Sequence, residues 1–505
     1  MDSVKHKTKF QTLVIDPLLS AIDRLPGKNA FCINEIFCTY AQLGEHISRI
    51  RSVVKDLSRD ELHIGLVAND DIETYASIFA LWLEGKAYVP LHPNQPLDRC
   101  EEIIKQVDIS TILDSSETSR FKPQRIIKTS GLQARKEGLV NDIAIGDDHL
   151  AYILFTSGST GTPKGVMISR KNVGAFMESF WDSGLTIMEG DRCLQCFDLT
   201  FDVSVQCFLT PLTKGACVYT IPHEQIKYSY VSGLLEDHKL TFAAVAPSML
   251  RYLKPYFGEV DLPALKTCIL TGEASPVDLV QQWQKCVRNA QLYNFYGPTE
   301  TTIYCTYYKI DEAESINSLY GMLSIGKPMK NVRTIIADEN CNVLRRGEKG
   351  ELCICGEQVS PGYWNSYGKN ALAFFEKECD GIIQRFYRTG DLCYLEADDN
   401  LMLYGRLDSQ AKIQGYRVEL GEIEHHAREY LNGNNAVVLT FTNSIGNTEL
   451  AMFIEGREID IAAVTEHLRR KLPLYMVPTK MMIEGEFPLN SNGKVDKRKL
   501  KDKIG

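Results

Sequence analysis

The chain has 505 residues, of which 44% are apolar and 24% charged, and a formal net charge of −9. That length calls for two or more domains, and the composition is that of a globular protein. The acidic balance argues against a general nucleic-acid surface, so an anionic substrate would need positive charge placed locally.

The opening stretch Met1–Phe10 is Lys-rich, but Asp16, Pro17 and Asp23 interrupt the next residues, so no signal peptide is expected. No run of about 18 uncharged apolar residues occurs, so no membrane span is expected, and the cytoplasm is the expected compartment. The fifteen cysteines are scattered, several within apolar runs such as Cys353 and Cys355. Cys193 and Cys196 form a lone C-x-x-C with neither a second pair nor a nearby histidine, so buried, reduced cysteine is expected.

Taken in chain order, Leu62–Ala68 reads as a buried strand and Ile72–Leu83 as a helix ending at Gly85. Tyr152–Phe155 reads as a short strand entering a Ser/Thr/Gly loop, and Thr241–Val245 and Thr267–Thr271 as further strands. The alternation predicts an α/β fold with parallel-type sheets flanked by helices. From about 331 to 407 the runs are short, β-branched and punctuated by glycine, which predicts a β-rich subdomain. A boundary is placed near Asp408, giving a large N-terminal domain (1–407) and a small mobile α+β domain (408–505). The small domain should hold a helix at Glu419–Leu431, strands at Ala436–Phe441 and Glu449–Ile454, and a helix at Ile459–Lys471.

The sharpest local signal is Thr156-Ser157-Gly158-Ser159-Thr160-Gly161-Thr162-Pro163-Lys164-Gly165. Its glycines allow a tight turn that exposes backbone N–H groups, its hydroxyls add donors, and Lys164 adds positive charge. Together these suit a polyphosphate. The order differs from the G-x-x-x-x-G-K-[ST] pattern, so a P-loop kinase fold is not implied. A plain Ser/Gly linker would need neither the preceding strand nor the lysine.

Further motifs occur in order along the chain. Thr39-Tyr40-Ala41-Gln42-Leu43 and Glu84 through Leu91 come early, then Phe201-Asp202-Val203-Ser204 and Asn294 through Glu300. Gly350-Glu351-Leu352 runs to Gly362-Tyr363-Trp364, and Tyr387 through Leu392 comes next. Gly405 through Asp408, Gly421 through Glu424, Leu472 through Pro478 and Asn492 through Asp496 close the set. With its motifs in this order, the chain resembles the adenylate-forming superfamily over nearly its whole length. Within that superfamily it is most similar to the amino-acid adenylation domains of nonribosomal peptide synthetases and to stand-alone D-alanine:carrier-protein ligases.

The resemblance implies a carboxylate attacking the α-phosphate of ATP and expelling pyrophosphate. Such a reaction needs donors on the phosphates, a cation near the new bond and a metal. Glu300 resembles the Mg²⁺ ligand. Lys164, Thr299 and Thr160 would contact the phosphates. Asp391 would accept the ribose hydroxyls and Asn294 would meet the adenine edge. Tyr296 would stack on the ring, with Phe295 and Gly297 in the same run. Gly272 and Glu273 would line the pocket as backbone, and Arg406 would lie near the ribose or phosphate. Lys494 resembles the catalytic lysine that bridges the two anions. Asp408 resembles a hinge about which the small domain rotates, after which Lys412, Gly415 and Tyr416 would face the thioester-forming site. Leu403 stands where many relatives carry an aromatic residue.

Asp202 occupies the position that binds the substrate α-ammonium in amino-acid-activating relatives. A buried carboxylate is costly without a cation, which predicts an amine on the substrate; a local helix cap is the competing reading. The remaining pocket positions map to Val203, Gln206, Ser248, Ile269, Thr271, Phe295, Ile303 and Tyr304. This neutral lining, with bulky Phe295 and Tyr304, predicts a small neutral amino acid. D-alanine is slightly preferred, with proline or serine also open. Thr271 departs from the cysteine common in D-alanine ligases. The sequence stops about eleven residues after Lys494, so a separate phosphopantetheinylated carrier protein is the expected acceptor. An acyl- or aryl-CoA synthetase of the same superfamily is the alternative enzyme, and a non-catalytic nucleotide-binding protein the alternative class.

Overall fold

The computed structural model describes residues 7–122, 124–133, 135–140, 145–158, 161–222, 225–311, 316–431, 434–489 and 495–504. The chain folds as two compact units. One comprises Met1–Pro93, Val107–Leu154 and Gly165–Leu407; the other comprises Asn94–Gln106, Phe155–Lys164 and Asp408–Gly505.

The first unit carries three main sheets. In the seven-stranded sheet, His63–Val67 pairs in parallel with Ala87–Leu91 on one side and Thr111–Asp114 on the other. The nine-stranded sheet has a parallel centre in which Thr267–Leu270 lies between Phe242–Val245 and Gln291–Tyr296. Antiparallel strands, including Thr306–Lys309, extend it. The helix Ile72–Leu83 is buried at every position from Thr74 to Leu83. A helix apolar on all sides must be enclosed. Its Phe79 and Trp82 join one core with Leu66 and Tyr88 of the first sheet and Ile269 and Phe295 of the second. Asp71 starts this helix by accepting the Thr74 N–H at 2.8 Å.

The third sheet is antiparallel, ordered Val332–Ala337, Gly350–Gly356, Ile382–Leu395 and Phe374–Cys379, with Leu401–Arg406 also pairing Ile382–Leu395. This is the β-rich stretch expected from sequence. It delivers Asp391 and Arg406, which are paired in register.

The second unit holds the hairpin Gln410–Ile413/Tyr416–Glu419, the helices Leu420–Tyr430 and Ile461–Lys471, and a three-stranded sheet of Ala436–Thr442, Thr448–Glu455 and Lys480–Glu484. Ile423, Val438, Met452, Val464 and Leu468 form its core. The segments 94–106 and 155–164, which sequence alone places in the large domain, group with it.

All fifteen cysteines are free, and all but Cys38 and Cys341 are buried. Among the described residues no helix is long and apolar enough to cross a membrane.

Candidate active site

In the first unit, the strand Ile382–Leu395 presents Asp391, which is 4% exposed. The Tyr296 hydroxyl donates to its Oδ2, and Arg406 Nη1 donates to Oδ1 at 2.9 Å and to the Thr389 carbonyl at 3.0 Å. Tyr296, at the end of its own strand, and Arg406 are thus drawn to one carboxylate. Leu403 packs against the cluster that contains Tyr296. The Asn294 amide is engaged at both ends. Ser275 Oγ donates to its Oδ1 at 2.9 Å, and its Nδ2 donates to the Ser324 carbonyl at 2.8 Å. One Nδ2 hydrogen and one Oδ1 lone pair remain beyond these two bonds.

Gly272 has φ +84°, a backbone setting suited to glycine. Glu273 turns its carboxylate to the Ser248 N–H at 3.0 Å and lies 3.8 Å from Arg251. This ties Glu273 to the start of the helix Pro247–Leu253.

The loop after Gly297 is strained. Thr302 and Ile303 have φ +58° and +72°, rare for β-branched residues and worth about 1–3 kcal/mol each. A Cβ at Gly297 would stand 2.5 Å from the Ile303 carbonyl oxygen and 2.7 Å from Tyr304 Cα. A brace that no sequence motif marks holds this loop. Gln358 Nε2 donates to the Tyr304 carbonyl at 2.6 Å, Thr302 Oγ1 donates to the Gln358 carbonyl at 2.6 Å, and the Ser360 N–H donates to the Glu300 carbonyl at 2.9 Å. Glu300 is fully buried, with the Tyr363 hydroxyl donating to its Oε1 at 2.7 Å.

Asp202 is 4% exposed at the head of the helix Val203–Leu212 and makes no side-chain cap bond to it, unlike the helix-cap reading. Its Oδ2 is buried and has no hydrogen-bond partner among the described residues. Burial pushes its pKa up to about 6; the Thr299 hydroxyl lowers it, the Glu300 charge raises it, and the Val203 and Ile303 amides lower it. A buried carboxylate oxygen of this kind is satisfied by a further donor, a cation or a proton.

Around it, Val203, Ile269, Phe295, Ile303 and Tyr304 belong to one apolar cluster. The Tyr304 ring lies 4.9 Å from that of Phe295, and its hydroxyl donates to Gln206 Oε1 at 3.4 Å. Burial pushes the Tyr304 hydroxyl pKa well up, and the nearby Thr271 side chain acts to lower it. Ser248 enters through its backbone bond to Glu273.

In the second unit, the Ser/Thr/Gly loop bonds to backbone groups and carboxylates of the same unit. Ser157 Oγ donates to the Arg417 carbonyl at 2.8 Å and accepts from the Glu419 N–H at 3.1 Å. The Gly158 N–H donates to Glu422 Oε2 at 2.9 Å, and Lys164 Nζ lies 3.7 Å from Glu419 Oε1. Glu422 is fully buried and also takes Arg99 Nη1 at 2.6 Å. Burial opposes the Arg99 charge, but the Glu422 carboxylate outweighs it and raises the pKa. Gly161 has φ +83° and lies against the His425 ring. Thr156 Oγ1 is buried without a partner among the described residues. Asp408, the first residue of the 408–505 segment, accepts the Gln410 N–H at 3.1 Å. Gly415, with φ +83°, turns the hairpin, and Tyr416 stacks on Tyr475 at 4.0 Å. Ser159, Thr160 and Lys494 lie outside the described residues.

Residues 19–364 match the family model described as AMP-binding enzyme. This chain belongs to the AMP-binding enzyme family. It is 32% identical over 491 residues to one of the linear gramicidin synthase proteins of Brevibacillus parabrevis, covering 95% of this chain and 6% of that protein. It is 30% identical over 489 residues to tyrocidine synthase 1 of the same organism, covering 95% and 44%. The chain therefore spans less than half the length of these relatives. Its fold matches the Vibrio cholerae adenylation domain AlmE, solved with glycyl-adenosine-5′-phosphate, at a TM-score of 0.86 and 22% identity, covering 100% and 99% of the two chains. It also matches PA1221, an NRPS protein containing adenylation and PCP domains, at 0.85 and 22%, covering 97% and 84%. The likeness to adenylation domains of the nonribosomal-peptide-synthetase type thus extends from motifs to fold.

Proposed function

We propose that the chain activates a small neutral amino acid as its aminoacyl adenylate, at the expense of ATP, and passes the acyl group to the phosphopantetheine thiol of a separate carrier protein. The observation that carries this reading is the orphaned, buried oxygen of Asp202. An α-ammonium supplies the missing partner, and its charge offsets a burial that otherwise favours the protonated acid. A fatty or aryl acid would leave that oxygen unpaired.

Asp391 would take the ribose hydroxyls, with Tyr296 and Arg406 orienting it, and Asn294 would meet the adenine edge. Thr156, Ser157, Gly158, Gly161, Lys164 and Thr299 would receive the phosphates, together with Ser159 and Thr160. Lys494 would bridge the carboxylate and the α-phosphate. Glu300 fits a Mg²⁺ ion in donor chemistry: it is a hard carboxylate buried close enough to Asp202 to raise its pKa. When bound, the ion supplies charge neutralisation on the phosphates. Asp408 would be the hinge between the two half-reactions, and Lys412, Gly415 and Tyr416 would serve the second.

The wall formed by Phe295, Tyr304 and Gln206 favours a short side chain, with D-alanine first in line and proline and serine behind it. ATP–pyrophosphate exchange with both alanine enantiomers, glycine, serine, proline and representative aryl and fatty acids tests the proposal. Exchange with one or more small amino acids is expected. Exchange with an aryl or fatty acid alone would reassign the chain to acyl- or aryl-CoA synthesis.

A further inference from the structure

Cys32, Glu35 and His238 come together in the first unit, apart from every residue given a part in adenylation. Cys32 lies on the strand Asn29–Ile33, which turns through Asn34 and Glu35 into Ile36–Thr39. Asn34 and Glu35 both have positive φ, +51° and +61°. This is the tight turn that matches hairpin twist, normally built from Asn and Gly. Glutamate at the second place is an unfavourable choice for the turn alone, so its side chain invites a reason.

That side chain reaches His238, the residue that ends the helix Lys227–Asp237. Its Oε2 stands 2.8 Å from Nε2, and its Oε1 accepts from the Tyr230 hydroxyl at 3.3 Å. The imidazole is held edge-on by Phe37 at 6.3 Å and lies against Tyr219 at 5.0 Å. One ligand atom each from Cys32, Glu35 and His238 falls within 4.8 Å of the others. Ligand atoms around a tetrahedral ion stand about 3.3–3.8 Å apart, so the Glu35–His238 pair at 2.8 Å would open slightly and the three atoms settle within the 4.8 Å they already share. A cavity of about 300 Å³, lined by Glu35, Tyr230, Asp237 and His238, opens on the same spot and leaves room for a fourth ligand.

We propose that Cys32, Glu35 and His238 form a site for one divalent transition-metal ion of borderline softness, Zn²⁺ by preference, with water as the fourth ligand. Sulfur and imidazole select against Mg²⁺ and Ca²⁺, which take oxygen. Binding converts the Cys32 thiol to a thiolate and releases its proton to solvent, along with any proton held between His238 and Glu35. The ion would pin the Asn29–Thr39 hairpin to the end of the helix 227–237. It would act on the stability of this edge of the nine-stranded sheet and leave the chemistry of adenylation unchanged.

Co²⁺ titration of the metal-stripped full-length protein tests this. One equivalent should bind, with a cysteinate-to-cobalt charge-transfer band in the near ultraviolet and the intense visible bands of a tetrahedral ion, and Zn²⁺ should displace it. Cys32→Ser should abolish the charge-transfer band. Glu35→Ala, at an exposed position, and His238→Ala, at a half-buried one, should weaken binding at least tenfold while leaving pyrophosphate exchange intact. Three results would overturn the assignment: no charge-transfer band in the wild type, a band that persists in Cys32→Ser, or affinity unchanged in both His238→Ala and Glu35→Ala. A site lost instead with His425→Ala would place the ion on the His425, His426 and Glu429 group of the other unit, which also refutes the proposal.

Discussion

Glu422 Oε2 accepts the Gly158 backbone N–H at 2.9 Å, so a buried carboxylate occupies an amide of the Ser/Thr/Gly loop proposed to receive the phosphates. Glu419 Oε1 forms a longer ion pair with Lys164 Nζ, at 3.7 Å. The arrangement is an anion-binding loop whose anions come from the protein itself.

On the proposed function, the phosphates of ATP would displace those carboxylates from the loop. Glu419→Gln removes the competing charge with little change of shape. Its KM for ATP should fall about three- to tenfold, a change equivalent to about 1 kcal/mol of lost ion pairing. A KM that is unchanged or higher would show that Glu419 does not compete.

The Arg99–Glu422 pair should behave as a buried ion pair. Removing either partner strands a charge in the interior, a loss of about 3–5 kcal/mol. Urea unfolding of Arg99→Ala, Glu422→Ala and the double variant should give a double loss well short of the sum. Additive losses would mean that the two groups are energetically independent.

Asp202 should trade stability for binding. Its folded pKa, raised to about 6 from 3.8, means that the native state holds the proton more tightly than the unfolded chain. Its contribution is therefore fully present below about pH 4 and is lost as the pH rises through about 6, amounting to about 3 kcal/mol. Asp202→Asn should be more stable than the wild type at pH 7.5, with the gain vanishing near pH 4, in thermal melts across that range. An Asn variant less stable at pH 7.5 would show that the carboxylate already has a cationic partner in the free protein.

Gly297→Ala should be severe, because its Cβ would meet backbone atoms of Ile303 and Tyr304 that the left-handed loop cannot move freely. Loss of at least about 2 kcal/mol and of exchange activity is expected. A variant with wild-type exchange would show that the strained loop is not needed for activity.

Much of the fold is legible in the sequence because its signals are local. The helix Ile72–Leu83 ends where its markers stand, with Asp71 before it and Gly85 after it. The Phe201–Ser204 run points to Asp202, although only the fold reveals that one of its oxygens lacks a partner. Long-range partners leave no such trace. Tyr363 bonds Glu300 across 63 residues, and Arg99 bonds Glu422 across 323. Neither spacing matches a helix or strand period, so no pattern within a segment announces it. Gln358 is silent for the same reason, since its role is to fill carbonyls of a loop whose strain is invisible in sequence. Lys494 rests on its Ser-Asn-Gly-Lys-Val-Asp setting alone.

The most direct measurement compares pyrophosphate exchange on alanine with exchange on propionate, the same acid without its amine, in the wild type and in Asp202→Ala. The wild type should favour alanine by at least about a hundredfold, and the variant should lose most of that preference while keeping its KM for ATP. Equal use of the two acids by the wild type, or a preference that survives in Asp202→Ala, would contradict recognition of an ammonium group by this carboxylate.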